Sequence, residues 1–428
     1  MSKRSNKHAR RKLRQRGRFE LPELSPLSCA SINKDANPCI CIIGGGASGM
    51  ACALAASQGE ASVVVLERDH YRGRTILASG NGRCNFSHDP IDPCCYFNHE
   101  FVESVHRYVS DTPSVPSVLS WFDSLGLVWQ EMPKGSGMLY PYSNRATAVT
   151  DVLNARFENS DVSFYGNACV SKIEKQGDSW SIEVGDCALH ADVVVLACGG
   201  NALQDVAFLC DRELVLKPCH GVLGPLEVKE AIPDDLDGLR AEVALRVNGF
   251  QETGEVLFRS YGLSGIVAFN ASRHIENNDC MYMNCVPSYT TEQLYALFEK
   301  RLQLFSGESL VHACRGFIDL DLARFACTQA KLDPESRFNQ RIIPQLVHAL
   351  TNVAFSVVAV AGNQPCQVQR GGVAVESIDP ETMSCLWDST LFVLGEALDV
   401  DGPCGGYNLD WAWTTGLVAG TALARRFS

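Results

Sequence analysis

The chain has 428 residues, 46% of them hydrophobic and 20% charged, and at 46.7 kDa it can bury the cores of two or three domains. No apolar run reaches the ~18–20 residues needed to cross a bilayer, so no membrane span is expected. The net charge of −12 is uneven: residues 1–18 hold nine Lys or Arg and no acid, which leaves 28 basic against 49 acidic residues, a balance of −21, for the rest. So acidic a body argues against specific nucleic-acid binding.

The basic leader reads as a solvated, disordered tail over residues 1–37. Arg10-Arg11 resembles a twin-arginine pair, but "FELPELSPLS" stands where an apolar signal core belongs, so no secretion signal is expected. The 19 cysteines are odd in number, scattered and without a CxxC pair. Metal sites need clustered thiolates, so no metal is expected. Most of these cysteines read as reduced, small hydrophobic residues of a cytoplasmic protein.

The most informative stretch is "CICIIGGGASGMACALAASQGEASVVVLERD", residues 39–69. Ile40–Ile43 is an apolar run suited to a buried parallel strand. Gly44-x-Gly46-x-x-Gly49 follows, then helix formers from Ala47 onward, and a second apolar run, Ser62–Leu66, that ends on Glu67. Gly44 permits the tight turn, Gly46 lets backbone approach a pyrophosphate, and Gly49 lets helix and strand pack closely. The helix amino end favours the phosphates, and Glu67 is placed to accept hydrogen bonds from ribose hydroxyls. An acid at this position suits an unphosphorylated ribose, as in FAD or NAD.

The segment "YRGRTILASGNGRCNFSH" (71–88) favours FAD of the two. A simple NAD site needs no such segment, whereas the longer body of FAD takes backbone donors and cations along its length. Arg74, Gly82, Arg83, Cys84 and Asn85 are the expected contacts.

Further along, residues 164–184 read as two short strands about a Gly-Asp turn, with Val170 an expected cofactor contact. "DVVVLACGG" (192–200) reads as a buried strand returning to the cofactor at Ala197, Gly199 and Gly200. Residues 241–258 alternate around Asn248-Gly249, a hairpin signal, and 290–305 and 341–352 carry helical spacing. "VAFSVVAVAG" (353–362) is short enough to be a buried strand. Leu391–Leu394 reads as a strand of the first sheet that ends at Gly395-Glu396 and points toward the cofactor. In the loop that follows, Asp399 and Asp401 hold the loop and the ribityl chain by hydrogen bonds, Asp401 being an expected cofactor contact, while Gly402, Gly405 and Gly406 permit close approach to the flavin ring. Tyr407 and Asn408, both expected cofactor contacts, open a helix to about Arg425, whose amino end would stabilise a reduced, anionic flavin. Trp411 and Trp413 read as core.

"GGGASGMACALAA", "GRTILASGNGRCNFSH" and "GEALDVDGPCGGYNLDWAWTTG" resemble the BaiN-type, or aminoacetone-oxidase-like, FAD-dependent oxidoreductases, which have a glutathione-reductase-like FAD domain. The resemblance runs from about Pro38 to the C-terminus. It implies an α/β fold: a split Rossmann-like FAD-binding domain with an inserted β-barrel domain that carries a helical subdomain. The expected division is 1–37 tail, 38–214 FAD domain, 215–285 barrel, 286–352 helical subdomain, 353–367 last barrel strand and 368–428 FAD domain again. Four positions depart from the family pattern: Cys198 replaces Thr, Ile266 replaces Pro after "GLSG", and Gln369-Arg370 replace Thr-Ala type residues.

A single dinucleotide fingerprint is present, so NADH or NADPH is expected only as a transient electron donor. The BaiN resemblance implies hydride transfer through flavin N5 to an activated C=C of a steroid- or bile-acid-like enone. Oxidation of a small amine such as aminoacetone is the alternative, and a non-catalytic flavin-bound sensing or nucleic-acid-linked protein is a third reading. No spacing selects the catalytic groups; Arg370, Tyr261 and His220 are the candidates, as proton donors or oxyanion partners beside a carbonyl. The partner is a small-molecule substrate, and the sequence leaves the oligomeric state open.

Overall fold

A computed structural model describes residues 23–27, 38–200, 216–360 and 366–428. The chain divides into two compact units, one formed by residues up to Cys219 together with Gly371–Ser428, the other by His220–Arg370. Most of the basic leader lies outside the described residues.

The first unit is built on a sheet of seven strands among the described residues, in the order Ser25–Pro26, Ser163–Gly166, Ser62–Leu66, Cys39–Ile43, Val193–Leu196, Asp388–Val393 and Ser384–Cys385. All pairings are parallel except the last. The apolar runs are continuous rather than alternating because helices cover both faces of such a sheet. Ile40, Ile42 and Val193–Leu196 are accordingly excluded from solvent altogether.

Two features of this sheet differ from expectation. Ser25–Pro26 lies in the stretch read as a disordered tail, yet it pairs with Tyr165 and Gly166 at the sheet edge. Pro is tolerated at an edge, where no ladder donor is needed, and a methyl on Gly166 would stand 2.7 Å from Leu24 Cβ, so the glycine makes the room. The last parallel strand also begins at Asp388, before the apolar run, because its polar start pairs with Cys385.

Beside this sheet, Val170–Gln176, Ser179–Val184 and Cys187–Ala191 form an antiparallel meander, the first turn carrying Gly177 at φ +62°. Cys187 is disulfide-bonded, an exception to the reduced thiols expected. Cys41, Cys52, Cys84, Cys285, Cys314, Cys327 and Cys385 are buried thiols.

Two helices far apart in the sequence form one packed pair. The helices Ala47–Ala56 and Tyr407–Arg426 pack so closely that a methyl on Gly416 would stand 2.5 Å from Ser48 O, and one on Gly420 2.6 Å from Cys52 O. Trp411 and Trp413 are buried in this unit's core.

The second unit is a closed barrel of Leu226–Val228, Gly262–Ser264, Phe250–Arg259, Arg240–Val247, Cys280–Asn284 and Val353–Val360. The hairpin at Asn248-Gly249 has positive φ at both residues, +46° and +81°, as a type I′ turn requires. Val353–Val360 is not buried on both faces: Val353, Phe355 and Val357 point inward while Val358 is exposed. An antiparallel barrel strand has one inner face, so a run of apolar residues does not imply two-sided burial. Helices between Cys280–Asn284 and Val353–Val360 extend the barrel core. The first, Thr291–Phe305, begins with a capping box of Thr290 and Gln293.

Candidate functional site

The sheet order brings the carboxyl ends of Cys39–Ile43, Val193–Leu196 and Asp388–Val393 side by side. Backbone bonds align the loops that leave these strands: Gly44 N–H donates to Leu66 O, Ala197 N–H to Ile43 O and Leu394 N–H to Leu196 O, each at 2.9 Å. The first glycine turn, the Ala197–Gly200 segment and the Gly395 loop therefore leave one edge together, where ligands bind in open α/β sheets.

The glycines here are required by space. Gly44 sits at φ +110°, and a methyl on it would lie 2.3 Å from Ala197 O. A methyl on Gly49 would lie 1.9 Å from Gly44 O. At Gly46, by contrast, the nearest atom to such a methyl is Thr75 Oγ1 at 3.5 Å, so its backbone is open to a ligand. Gly46 caps the helix at Ala47 without any side-chain hydrogen bond, and no acid stands in the first turn. That amino end is suited to a diphosphate.

Glu67 is held at the end of the second strand. Its Oε2 accepts from Gly45 N–H at 2.6 Å and its Oε1 from Asp69 N–H at 2.9 Å. Burial raises its pKa, against the lowering effect of those two backbone donors. Ala168 N–H donates to Glu67 O at 2.8 Å, which places the start of the Val170 strand next to Glu67.

The closing loop is fastened from several sides. Asp399 Oδ1 accepts from Gly371 N–H at 2.8 Å, and Phe97 N–H donates to Asp401 O at 2.8 Å. Asn98 Nδ2 donates to Asp399 O at 2.6 Å, and Tyr96 OH to Tyr407 O at 2.8 Å. Gly395, at φ +59°, donates to Thr415 Oγ1 at 3.0 Å, and a methyl on it would stand 3.1 Å from Ser48 Oγ. Gly406, at φ +101°, caps the C-terminal helix with no side-chain bond, and a methyl there would meet Ser87 O at 2.2 Å and Asn85 Oδ1 at 3.0 Å. Asn85 Oδ1 is shielded from solvent and has no hydrogen-bond partner. An orphaned acceptor beside an uncapped helix amino end fits the donor edge of an isoalloxazine ring.

FAD therefore fits these residues: the Gly44–Gly49 turn for its diphosphate, Glu67 for its ribose, and the Asn85 and Gly405-Gly406 surfaces for its ring. Some expected contacts are engaged elsewhere. Asn408 Oδ1 accepts from Gly402 N–H at 2.8 Å and its Nδ2 donates to Gly402 O at 2.9 Å, so its side chain closes the loop. Arg74 is exposed and pairs with Asp69 at 2.6 Å, and exposed Arg83 lies over the Tyr140 ring, 5.1 Å from its centroid. Cys84 is a buried thiol at φ +57° whose pKa burial pushes up to about 12, which makes it inert rather than redox-active. Gly82 O accepts from Ala146 N–H at 2.9 Å. Gly199, at φ +74°, has open space around it, and Gly200 is buried.

Of the three catalytic candidates, His220 and Arg370 lie on the paired strands Leu216–Val222 and Val368–Val373 of one two-stranded sheet, and Tyr261 lies on a different element. His220 is exposed on the strand Leu216–Val222. Tyr261 is half-buried in the turn after Phe250–Arg259, its carbonyl accepting from Val228 N–H at 3.1 Å. Arg370 Nη1 donates to Arg273 O at 2.8 Å. Residues not anticipated include Ser48, Ser87, Asn98 and Asp410. Only Asp410 carried a signal in the sequence, an acid one turn past Gly406 inside an apolar helix.

This parallel sheet, its glycine turn and acid, and a second glycine-gated helix end supplied by the chain's own C-terminus define a flavin-binding Rossmann protein. Residues 38–422 match the family described as HI0933-like protein Rossmann domain. A 3-dehydro-bile acid delta(4,6)-reductase of Clostridium scindens is 31% identical over 410 residues, covering 90% of this chain and 98% of its own. Ribosomal RNA dihydrouridine synthases of Escherichia coli and Haemophilus influenzae are 25% and 23% identical, covering 87% and 90% of this chain and 95% and 98% of theirs. The chain belongs to the HI0933-like Rossmann family, in line with the BaiN-type resemblance, and is a FAD-dependent oxidoreductase. No described helix is long and apolar enough to cross a membrane.

Proposed function

We propose that the protein reduces a C=C bond conjugated to a carbonyl in a small hydrophobic, steroid- or bile-acid-like substrate, with NADH or NADPH as transient hydride donor, in the cytoplasm. The observation that carries this reading is the near full-length likeness to the 3-dehydro-bile acid delta(4,6)-reductase. FAD, when bound, supplies the hydride chemistry. The chain's residues do the rest. Hydride adds to the carbon β to the carbonyl, the electron pair moves to the carbonyl oxygen, and a proton is delivered to the α carbon. The oxygen's developing charge needs a cation, for which Arg370 is proposed, and the proton an acid, for which Tyr261 and His220 are proposed.

A second reading has support from the two dihydrouridine synthases. The uracil C5=C6 bond is also conjugated to a carbonyl, so the same addition on an RNA base is chemically equivalent. The acidic body disfavours it electrostatically.

The experiment is an anaerobic titration of the purified holoprotein with NADH and then NADPH, following flavin absorbance. Bleaching, then reoxidation by a 3-keto-Δ4 or Δ4,6 steroid, is the expected result. Reoxidation by uridine-containing RNA alone favours the second reading. A flavin that neither nicotinamide bleaches, but that a small amine does, sinks both in favour of an amine oxidase.

A further inference from the structure

Asp410 is nearly fully buried in the first turn of the C-terminal helix, four residues after its Gly406 cap. Its Oδ2 accepts from Ser87 Oγ at 2.5 Å, a contact spanning 323 positions of sequence, and Thr414 Oγ1 lies 3.4 Å from its Oδ1. The groups acting on it are the Ser87 and Thr414 hydroxyls and the like-charged Asp89, and the His88 ring lies beside the same helix turn, 4.7 Å from the Tyr407 ring. A carboxylate buried in that way is costly, which favours the neutral acid. Desolvation accordingly raises its pKa from 3.8 to about 7.

What the Ser87 bond holds is the GRCN segment. Ser87 O and Asn85 Oδ1 both press on Gly406, at the spacings that leave no room for a side chain there. Trp413 Nε1 donates to Phe86 O at 3.1 Å and fastens the same segment to the same helix.

We propose that Asp410 is a positioning residue of the cofactor site: bonded to Ser87, it clamps the Arg83–Ser87 segment to the amino end of the C-terminal helix, so that Asn85 Oδ1 and the Gly406 backbone meet FAD as one surface. An uncharged Asp410 also leaves the helix dipole uncancelled at that end, where a carboxylate would oppose it. The proposal rests on FAD occupying this cradle and not on the reaction proposed above.

The test is FAD affinity, measured by fluorescence titration of deflavinated protein at pH 6 and pH 8.5, for the wild type, Asp410→Asn, Asp410→Ala, Ser87→Ala and the double Ala variant. Asn can accept from Ser87 and donate to Thr414 but cannot ionise. The wild type is expected to bind FAD several-fold more weakly at pH 8.5 than at pH 6, and Asp410→Asn to bind equally at both. Asp410→Ala and Ser87→Ala should each weaken binding about tenfold, and the double variant no further, because one bond is broken. Thermal unfolding of each apoprotein shows whether it is folded. Unchanged FAD affinity in a folded Asp410→Ala variant overturns the proposal and leaves Asp410 a purely structural residue, as does an Asp410→Asn variant that keeps the wild-type pH dependence. A wild type that takes up no FAD removes the cofactor assignment itself.

Discussion

Gly416 lies directly on Ser48. A methyl added to Gly416 would stand 2.5 Å from the Ser48 carbonyl oxygen, 2.8 Å from Ala51 Cβ and 3.1 Å from Cys52 N. Ser48 belongs to the first turn of the fingerprint helix, so that helix is seated against the last helix of the chain. Gly→Ala in a helix interior ordinarily stabilises by about 1 kcal/mol. Here backbone atoms obstruct the methyl and cannot rotate away, so the sign reverses. Gly416→Ala is expected to destabilise by about 1–3 kcal/mol and to lose FAD at lower denaturant than the wild type. Chemical unfolding followed by flavin fluorescence checks both.

Glu67→Gln replaces one carboxylate oxygen with an amide that donates. The carboxylate accepts from Gly45 and Asp69 N–H groups, so one of these donors would then face another donor. That mismatch costs about 1–3 kcal/mol, and the Gly44–Gly46 turn should loosen. FAD affinity is expected to fall about tenfold or more, measured by equilibrium titration, with little change in the fold's circular dichroism. An unaltered affinity would mean that FAD binding depends neither on Glu67 nor on the turn it holds.

How much of this was legible depended on whether the signal was local. The Gly44–Gly49 turn, Glu67 and the flanking strands are encoded within thirty or so contiguous residues, and the Asn248-Gly249 hairpin within two. The clamp between Ser87 and Asp410, and the seating of Gly416 on Ser48, join opposite ends of the chain, and no spacing announces them. Asn408 illustrates a different gap. Its place in "GGYN" suggests a cofactor contact, and its side-chain amide closes a loop onto Gly402, a partner that only the folded backbone reveals. Likewise the edge strand Ser25–Pro26 has no apolar pattern of its own and depends on Gly166 for its seat.

His106 predicts how stability responds to acid. Its ring sits in the helix His99–Asp111 with Nε2 shielded from solvent and unpartnered, and desolvation lowers its pKa from 6.5 to about 4. The folded state keeps the ring neutral while the unfolded chain takes up a proton below about 6.5. The stability this group contributes is therefore complete above pH 6.5 and is lost as pH falls toward 4. His106→Leu should flatten that limb, recovering about 1–2 kcal/mol of the loss between pH 7 and pH 5. Denaturant midpoints at the two pH values give the comparison. An acid limb equally steep in the variant assigns the sensitivity to other groups.

Asn248 tests the barrel independently of the cofactor. It adopts φ +46° at the hairpin tip, and its Nδ2 donates to His274 O at 3.0 Å and Asp279 Oδ2 at 2.6 Å. Phe250, just past the turn, stacks on the His274 ring at 4.7 Å, so the amide anchors both the turn and its aromatic neighbour. Asn248→Ala forfeits both hydrogen bonds and places a less tolerant residue in the left-handed region, a combined loss of about 2–3 kcal/mol. Hydrogen exchange should accelerate across Arg240–Arg259, while the glycine cradle and Glu67, which lie in the other unit, keep their protection and their FAD. Faster exchange confined to the hairpin means that the two units open separately. Acceleration that reaches the Gly44–Gly49 turn means that they unfold as one cooperative body, because a break at this turn has no other route to the cradle.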